Sequence, residues 1–328
     1  MQFLSKISRA ILATIAAMAL AVAAIGLLAH FVPVDNHITL IAAALAPYLM
    51  LGAPISLVIW AATRRGILAV TAVAFTCAAL FTQLPLYSHS PEGDHRASAT
   101  IRLLTANLYL GQADAASIVS TATTDADVVA LQELTPAAVK RLSAAGLDAI
   151  FPFHMIDARD EGSGVGLFSR FPVSDVKRVP GYTLAMVSVR IKVAGVTEDP
   201  TVIVVHMTGP WPQAIDGWVR DLRSLPETLN AAATAEGSGC VIAAGDYNST
   251  ADMRNFRDVT RAGYRDAAEQ AGAGIIPTYP GNVWAPPLIA IDHVLTHGCT
   301  ATAVRAATLP GSDHRGLIAQ VRVPDGAN

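Results

Sequence analysis

At 328 residues the chain suits one large domain or two ordinary ones. It is 52% hydrophobic and only 15% charged, with a mean hydropathy of +0.42, which excludes a chain solvated by water along its whole length. Residues 1–96 hold five Lys and Arg and three acids, and the other 18 basic and 23 acidic residues give the remainder a formal net charge of −5. Two solvents are implied, lipid first and water second.

Three apolar stretches fill the first part, at about 10–34, 38–62 and 66–86. Each approaches or exceeds the ~20 residues a helix needs to cross a bilayer. Pro33, Pro47 and Pro54 are tolerable there if neighbouring helices satisfy the freed carbonyls. A cleaved leader would explain the first stretch but not the other two. Lys6 and Arg9 precede the first span, and Arg64 and Arg65 separate the second from the third. The loop between the first and second spans has no Lys or Arg. The positive-inside tendency then places the N-terminus and the Arg64–Arg65 loop in the cytoplasm. Three crossings put everything beyond about residue 87 outside, as a multi-pass membrane protein with an extracytoplasmic domain. Residues 1–87 read as the anchor, 88–100 as a polar linker, and 101–328 as the water-soluble domain.

From residue 101 short β-rich runs alternate with helical ones. Strands are expected at 101–107, 127–132, 164–169, 184–193, 201–206, 240–245, 289–296, 301–307 and 316–323. Helices are expected at 112–123, 136–145, 214–234 and 252–262. Many strands with few helices indicate a layered α+β domain.

The strand edges carry an unusual set of side chains. "LLTANLYLG" presents Asn107, "VVALQE" ends in Glu133, "TVIVVHMTG" presents His206, and "VIAAGDYN" ends in Asp246 and Asn248. "IAIDHVL" begins near Asp292, and "GSDHRG" places Asp313 and His314 before the last strand. One such residue is ordinary turn chemistry. Six segments delivering carboxylate, amide and imidazole groups suit attack of water on a phosphate ester. Glu133 suits a hard divalent cation. Asp246 suits orienting and deprotonating water, and Asn248, His206 and His314 suit the charge that builds on phosphate oxygens. Asp292 suits holding an imidazole behind its reacting face.

The segments TANL, LQE, GVGLFSR, VVHMTGP, AAGDYN, IDHV and SDHR, in this order, resemble the endonuclease/exonuclease/phosphatase family, whose members include deoxyribonuclease I and neutral sphingomyelinases. The resemblance covers residues 101–323. It implies a four-layered α/β sandwich, two packed sheets between helices, with the site at one end and Mg²⁺ or Mn²⁺ as cofactor. It implies metal-side roles for Asn107, Glu133 and Asp313, and catalytic roles for His206, Asp246, Asn248, Asp292 and His314. Many members carry a second Asn or Asp two residues after the first-strand Asn, where this chain has Tyr109. That removes one oxygen ligand and weighs against a two-metal arrangement.

Arg170 reads as structural, and Ser163 and Gly164 as a turn. Trp211, Trp218 and Trp284 lie on or near loops expected at the site end, and His154, His293 and His297 have no evident partner. Cys240 lies six residues before Asp246 and Cys299 seven after Asp292. Both then fall roughly 20 Å from the site at ~3.3 Å per residue. If their strands are antiparallel neighbours, a disulfide between them is feasible, and an exported domain permits it. The expected activity is hydrolysis of a phosphodiester in a phospholipid, glycolipid or nucleic acid. The net charge of −5 argues against tight duplex binding. The alternative is a non-catalytic binding protein with a degenerate site.

Overall fold

The computed structural model of the chain describes residues 2–88, 97–261 and 263–325. It divides into two units, Met1–Pro85 with Thr250–Asn255, and Leu86–Ser249 with Phe256–Asn328.

The first unit is helical: α1 (Gln2–Phe31), α2 (His37–Ala44), α3 (Ala46–Met50), α4 (Gly52–Ala62) and α5 (Gly66–Gln83). Asn36 caps α2 and Thr39 returns the bond, a reciprocal box that starts the helix sharply. Two stretches are long and apolar enough to cross a membrane, Ser8–Phe31 and Gly66–Tyr87. The expected middle span, 38–62, is not one straight helix. It bends by 64° between His37–Ala44 and Ala46–Ala62, and counts as a third span only if the bent pair crosses as one. Pro47, in the first turn of α3, has no N–H to continue the preceding helix. Close packing depends on glycine: a Cβ on Gly52 would stand 2.2 Å from the carbonyl oxygen of Ala19. Within this unit the Asp252 carboxylate meets His30 Nδ1 at 2.8 Å and accepts from Gln83 Nε2 at 2.8 Å.

The second unit holds twelve strands among the described residues: β1 (Ala97–Asn107), β2 (Val128–Gln132), β3 (Phe153–Asp157), β4 (Val165–Ser169), β5 (Val173–Arg178), β6 (Val187–Ile191), β7 (Thr201–His206), β8 (Val241–Asp246), β9 (Arg265–Asp266), β10 (Asp292–His297), β11 (Thr300–Ala307) and β12 (Gly316–Pro324). Its helices are α6 (Ala115–Asp125), α7 (Pro136–Ala144), α8 (Leu147–Ile150), α9 (Asp216–Glu236), α10 (Arg254–Thr260, whose first two residues group with the helical unit) and α11 (Ala267–Ala271). Two six-stranded sheets form, ordered β11-β12-β1-β2-β4-β3 and β5-β6-β7-β8-β10-β9. All nine expected strands are present. The expectation missed β3, β5 and β9; β3 and β5 are edge strands with mostly exposed or half-exposed side chains and lack the apolar run that marks a buried strand.

Alternation builds the layers. Ile101, Leu103, Val128, Ala130, Val165 and Leu167 face the other sheet, where they meet Val187, Val202, Val204, Ile242 and Val294. Their neighbours Leu104, Val129, Leu131 and Phe168 face outward onto Ile118, Val119 and Leu142 of α6 and α7. Helix α9 lies on β8 with Trp218, Leu222, Leu225 and Leu229 buried. Helix, sheet, sheet, helix is the expected four-layered sandwich. The expected linker 88–100 is shorter than read, since residues 97–100 extend β1 and pair with β12; 89–96 fall outside the described residues.

Candidate active site

Two parallel strand pairs set the site. β1 and β2 run side by side and finish at Asn107 and Gln132; β7 and β8 finish at His206 and Asp246. β10 runs the other way and starts at Asp292, directly opposite Asp246. Asp313 and His314 precede β12, which pairs with β1. All eight expected site residues therefore belong to the same strand ends.

Hydrogen bonds tie them together. Asn107 Nδ2 donates to Glu133 Oε1 at 3.1 Å and to Asp246 Oδ2 at 3.0 Å, so one amide joins carboxylates from both sheets. Asn107 Oδ1 accepts from the Tyr109 amide at 2.9 Å, and the other Glu133 oxygen accepts from the Leu110 amide. The Asn248 amide N–H caps Asp246 Oδ1 at 2.7 Å, while Asn248 Nδ2 donates to the Met207 carbonyl at 2.9 Å. His314 Nδ1 meets Asp292 Oδ2 at 2.8 Å, and its Nε2 faces Asp246 Oδ2 across 3.8 Å. Tyr109, Leu110, Glu133 and Asn248 all hold left-handed backbone, at φ 49, 52, 54 and 49. Non-glycine residues there cost of order 1 kcal/mol each, and such strain collects where function sets the geometry.

Burial sets the charge states. It lifts the Asp246 carboxyl, against the pull of the His314 cation, to about 7. Burial also opposes charging His314, but Asp292 and Asp246 outweigh it and hold the imidazole up at about 10. His206, buried and beside the His314 cation, falls to about 3 and is neutral. Asp313 is raised by burial and, further, by the nearby Glu133, against the pull of the His314 cation.

The donor set fits a hard divalent cation. Half-buried Glu133 lies beside buried Asp246 through the Asn107 amide and close enough to half-buried Asp313 to raise its pKa, and Asp313 Oδ1 itself is buried with no protein partner. Asp246, Asp292 and His314 also offer ligand atoms within 4.8 Å of one another. There Asp292 Oδ2 is taken by His314 Nδ1, which leaves Asp292 Oδ1 buried with no protein partner and lines the trio up as a carboxylate–imidazole pair aimed at Asp246.

Some residues escaped the sequence reading. Ser312 Oγ donates to the Asn107 carbonyl at 2.7 Å and accepts from the His314 amide at 3.0 Å, locking the Asp313–His314 turn onto β1. The Tyr279 ring lies 5.1 Å from that of His314. A Ser two residues before a His is a turn signal that could have flagged Ser312; nothing local marks Tyr279. Trp218 is not at a loop surface: it is fully buried in α9, its indole donating to the Tyr247 carbonyl. His293 does have partners, Asp266 at 2.5 Å and the Ser249 carbonyl at 2.8 Å, while His154 and His297 rest on Phe168 and Tyr264. Arg170 is structural, bonding the Thr123 carbonyl and stacking on Phe151. Cys240 and Cys299 form the expected disulfide.

No curated protein sequence matches the chain. Among solved structures it is similar to D. rerio TDP2 humanised by 14 mutations, at 18% identity and TM-score 0.55, covering 68% of this chain and 99% of that one. It is equally similar in shape to the endonuclease/exonuclease/phosphatase from Bacteroides vulgatus, at 16% identity and TM-score 0.55 over 69% and 99% of the two chains. The 3′ phosphatase NExo from Neisseria, bound to a product DNA hairpin, matches at 18% identity and TM-score 0.53 over 67% and 98%. At these identities the likeness speaks for the fold. The model of the Endonuclease/Exonuclease/phosphatase family matches residues 104–314. That match takes in every residue of the polar cluster and more than half of the chain, and so the chain belongs to the endonuclease/exonuclease/phosphatase family, enzymes that hydrolyse phosphate esters with the help of a metal ion.

Proposed function

We propose that the protein is a membrane-anchored, extracytoplasmic phosphodiesterase that attacks its substrate with water and uses Mg²⁺ or Mn²⁺. The observation that carries the reading is the single Asn107 amide bridging Glu133 and Asp246, with His314 facing the same carboxylate. A divalent cation held by Glu133 and Asp313, with Asn107 beside them, would neutralise charge on the phosphate and on the leaving oxygen.

The remaining work falls to the chain itself. Asp246 orients the attacking water and takes its proton; a carboxylate raised to about 7 is a better base than an ordinary one. The His314 imidazolium, kept charged by Asp292, points Nε2 at the place where phosphate oxygens gather charge. The 3.8 Å between that nitrogen and Asp246 Oδ2 is too long for a hydrogen bond and leaves both atoms facing one small space. Neutral His206 still has an N–H to give, and its Nδ1 is buried with no partner in the protein. Asn248 holds Asp246 through its backbone N–H, and its side-chain amide, on the Met207 carbonyl at 2.9 Å and on Asp246 Oδ2 at 3.3 Å, would turn to a phosphate oxygen when substrate binds.

The anchor reading rests on the apolar helices α1 and α5, with bent α2–α4 as the middle crossing. Lys6, Arg9, Arg64 and Arg65 favour a cytoplasmic N-terminus. The Cys240–Cys299 disulfide supports an oxidising compartment for the second unit. A non-catalytic binding role has little support, because the residues for metal, water and phosphate are all present.

The test uses the full chain in detergent. Hydrolysis of bis(p-nitrophenyl) phosphate should appear with Mg²⁺ or Mn²⁺ and vanish with EDTA. Turnover that ignores EDTA, or that survives Asp246→Asn, would overturn the reading. A C-terminal alkaline phosphatase fusion should be active if the domain is exported; silence, with a cytoplasmic reporter active instead, would reverse the sidedness.

A further inference from the structure

Three loops rise at the strand ends that carry the site. The first follows β1: the Leu110 amide donates to Glu133, yet the Leu110 side chain is exposed. The second follows β7: its Met207 carbonyl accepts from Asn248, and Trp211 is 60% exposed. The third spans 280–288, closed at its base by the bridge between Tyr279 and Ile289. There the Gly281 amide donates to the Asp313 carbonyl at 2.5 Å, and a Cβ on Gly281 would stand 3.0 Å from the His314 backbone. The base of this loop thus rests on the Asp313–His314 turn. Its tip carries Val283, about half exposed, and Trp284, 100% exposed; Leu288, also half exposed, stands at its base, where its N–H donates to the Tyr279 carbonyl. Trp284 is three residues beyond Gly281, so it lies within ~10 Å of that turn at ~3.3 Å per residue.

These loops share a composition. Residues 108–113, 207–214 and 271–291 contain no Lys, Arg, Asp, Glu or His. A densely charged centre is therefore flanked by three uncharged loops with large apolar side chains in water, while a fourth at the same end, 158–164, rests Gly162 against Leu110 and Glu133 and carries Arg159, Asp160 and Glu161 exposed. A groove that follows a nucleic-acid backbone needs Lys or Arg beside the scissile phosphate; the uncharged loops supply none, and in the fourth loop Arg159 is paired with Asp157 and followed by Asp160 and Glu161. Tryptophan at a loop tip has its most favourable surroundings at a bilayer interface, where the ring is apolar and the indole N–H stays wet. The same chain carries two helices apolar enough to span a bilayer.

We propose that Leu110, Trp211, Val283, Trp284 and Leu288 form an apolar rim that seats on a lipid surface, so that the ester reaching the site is the head-group phosphodiester of a phospholipid. The proposal rests on the phosphodiesterase reading above. The rim enters the interface on the side of the three uncharged loops, the charged 158–164 loop stays in water at the head groups, and the polar centre meets the phosphate at head-group depth. A soluble phosphodiester reaches the same centre without using the rim.

The experiment places the full chain in nanodiscs of phosphatidylcholine and phosphatidylglycerol and compares it with the Trp211→Ala/Trp284→Ala double variant. Neither residue belongs to the catalytic cluster. Hydrolysis of bis(p-nitrophenyl) phosphate should be unchanged. Release of phospholipid head group should fall at least ~10-fold, the equivalent of losing one buried aromatic side chain from the interface. In a Trp60→Phe background, lipids brominated in the upper acyl chain should quench a fluorescence component that Trp284→Ala removes. An unquenched Trp284, or equal loss on both substrates, would overturn the rim. Soluble turnover with no head-group release by the unaltered chain would overturn the lipid assignment. Loss confined to a single-stranded oligonucleotide would replace it with base stacking. A chain inactive on both substrates would remove the phosphodiesterase reading, and quenching would still decide whether the rim meets lipid.

Discussion

The two ends of the sandwich are built on opposite principles. At the end away from the site, charges are paired and strands are fastened. Arg102 and Asp127 exchange a forked ion pair, and Cys240 is bonded to Cys299. At the other end of the same strands, Asp246 and Asp292 face each other, like charges in register. Four non-glycine residues there hold left-handed backbone, and His206, Asp292 and Asp313 each leave a buried polar atom unpartnered. Structure maximised for stability would not look like this. The difference indicates that the first end supplies stability which the second gives up in order to hold groups ready for a substrate.

Substitutions at the strained end should damage chemistry and spare the fold. His314→Ala and Asp246→Asn should each lower kcat/KM at least ~10²-fold, because they remove a charge-bearing donor and the base. Thermal unfolding of Asp246→Asn should stay close to that of the parent, since the change removes one of two like charges in register, while His314→Ala should lose some Tm by stripping Asp292 of its partner. A large loss of Tm with little loss of kcat/KM would invert the comparison.

The fastened end should behave the other way. Replacing Cys240 and Cys299 together by Ser removes a crosslink across a sequence separation of 59. Stability should fall by about 2–4 kcal/mol, read from urea unfolding of the full chain in detergent. Turnover at ambient temperature should be unchanged, because the bond lies a strand length from Asp246. Loss of turnover in variants that remain folded would show that the two ends are coupled.

Asp292→Asn sharpens the contrast through pH. His314 is held up to about 10, so its imidazolium persists through neutral pH and is lost as pH rises through that value. Activity that needs this cation should fall along a basic limb there. Removing the Asp292 charge lowers the imidazole pKa, so the limb should move to lower pH, with about a tenfold loss at neutral pH. A basic limb that stays in place would mean that His314 does not carry it.

How much of this was legible beforehand follows the same division. The convergence of these polar residues on one end was legible because each flanks an apolar run, and such a run gives a polar residue at its end only one place to go. For the disulfide, counting back along β8 and forward along β10 placed the two cysteines at one end and left open whether those strands are neighbours; their antiparallel pairing settles it. Edge strands β3 and β5 were not, since half-exposed strands carry no sustained apolar pattern. The break in the middle apolar stretch was missed because hydropathy sums over residues and is blind to the missing N–H of Pro47. Ser312, Tyr279 and the Asp266 partner of His293 depend on contacts between residues far apart in the chain, which local pattern cannot register. Trp218, read as near a site-end loop, lies deeper than that, because one face of α9 is polar and the other buries it.

The smallest expected effect tests whether the fastened end is conventional in its electrostatics. Asp127 accepts from the Arg102 backbone N–H at 3.0 Å and from its guanidinium at 2.7 Å and 3.1 Å. Burial opposes the charged carboxylate, but these bonds outweigh it and hold the group below its usual range. A folded-state value below the unfolded one gives stability that is present above the unfolded pKa, about 4, and is lost as pH falls through the folded value. Arg102 is partly exposed, so solvent screens the pair, and Asp127→Asn should cost only about 1 kcal/mol at neutral pH. The gap between parent and variant in urea unfolding should narrow below pH ~4 as the parent's own carboxylate takes up its proton. A gap that is constant down to strongly acid pH would mean that Asp127 acts through its shape and backbone bond, and that this end is held by packing and the disulfide without help from charge.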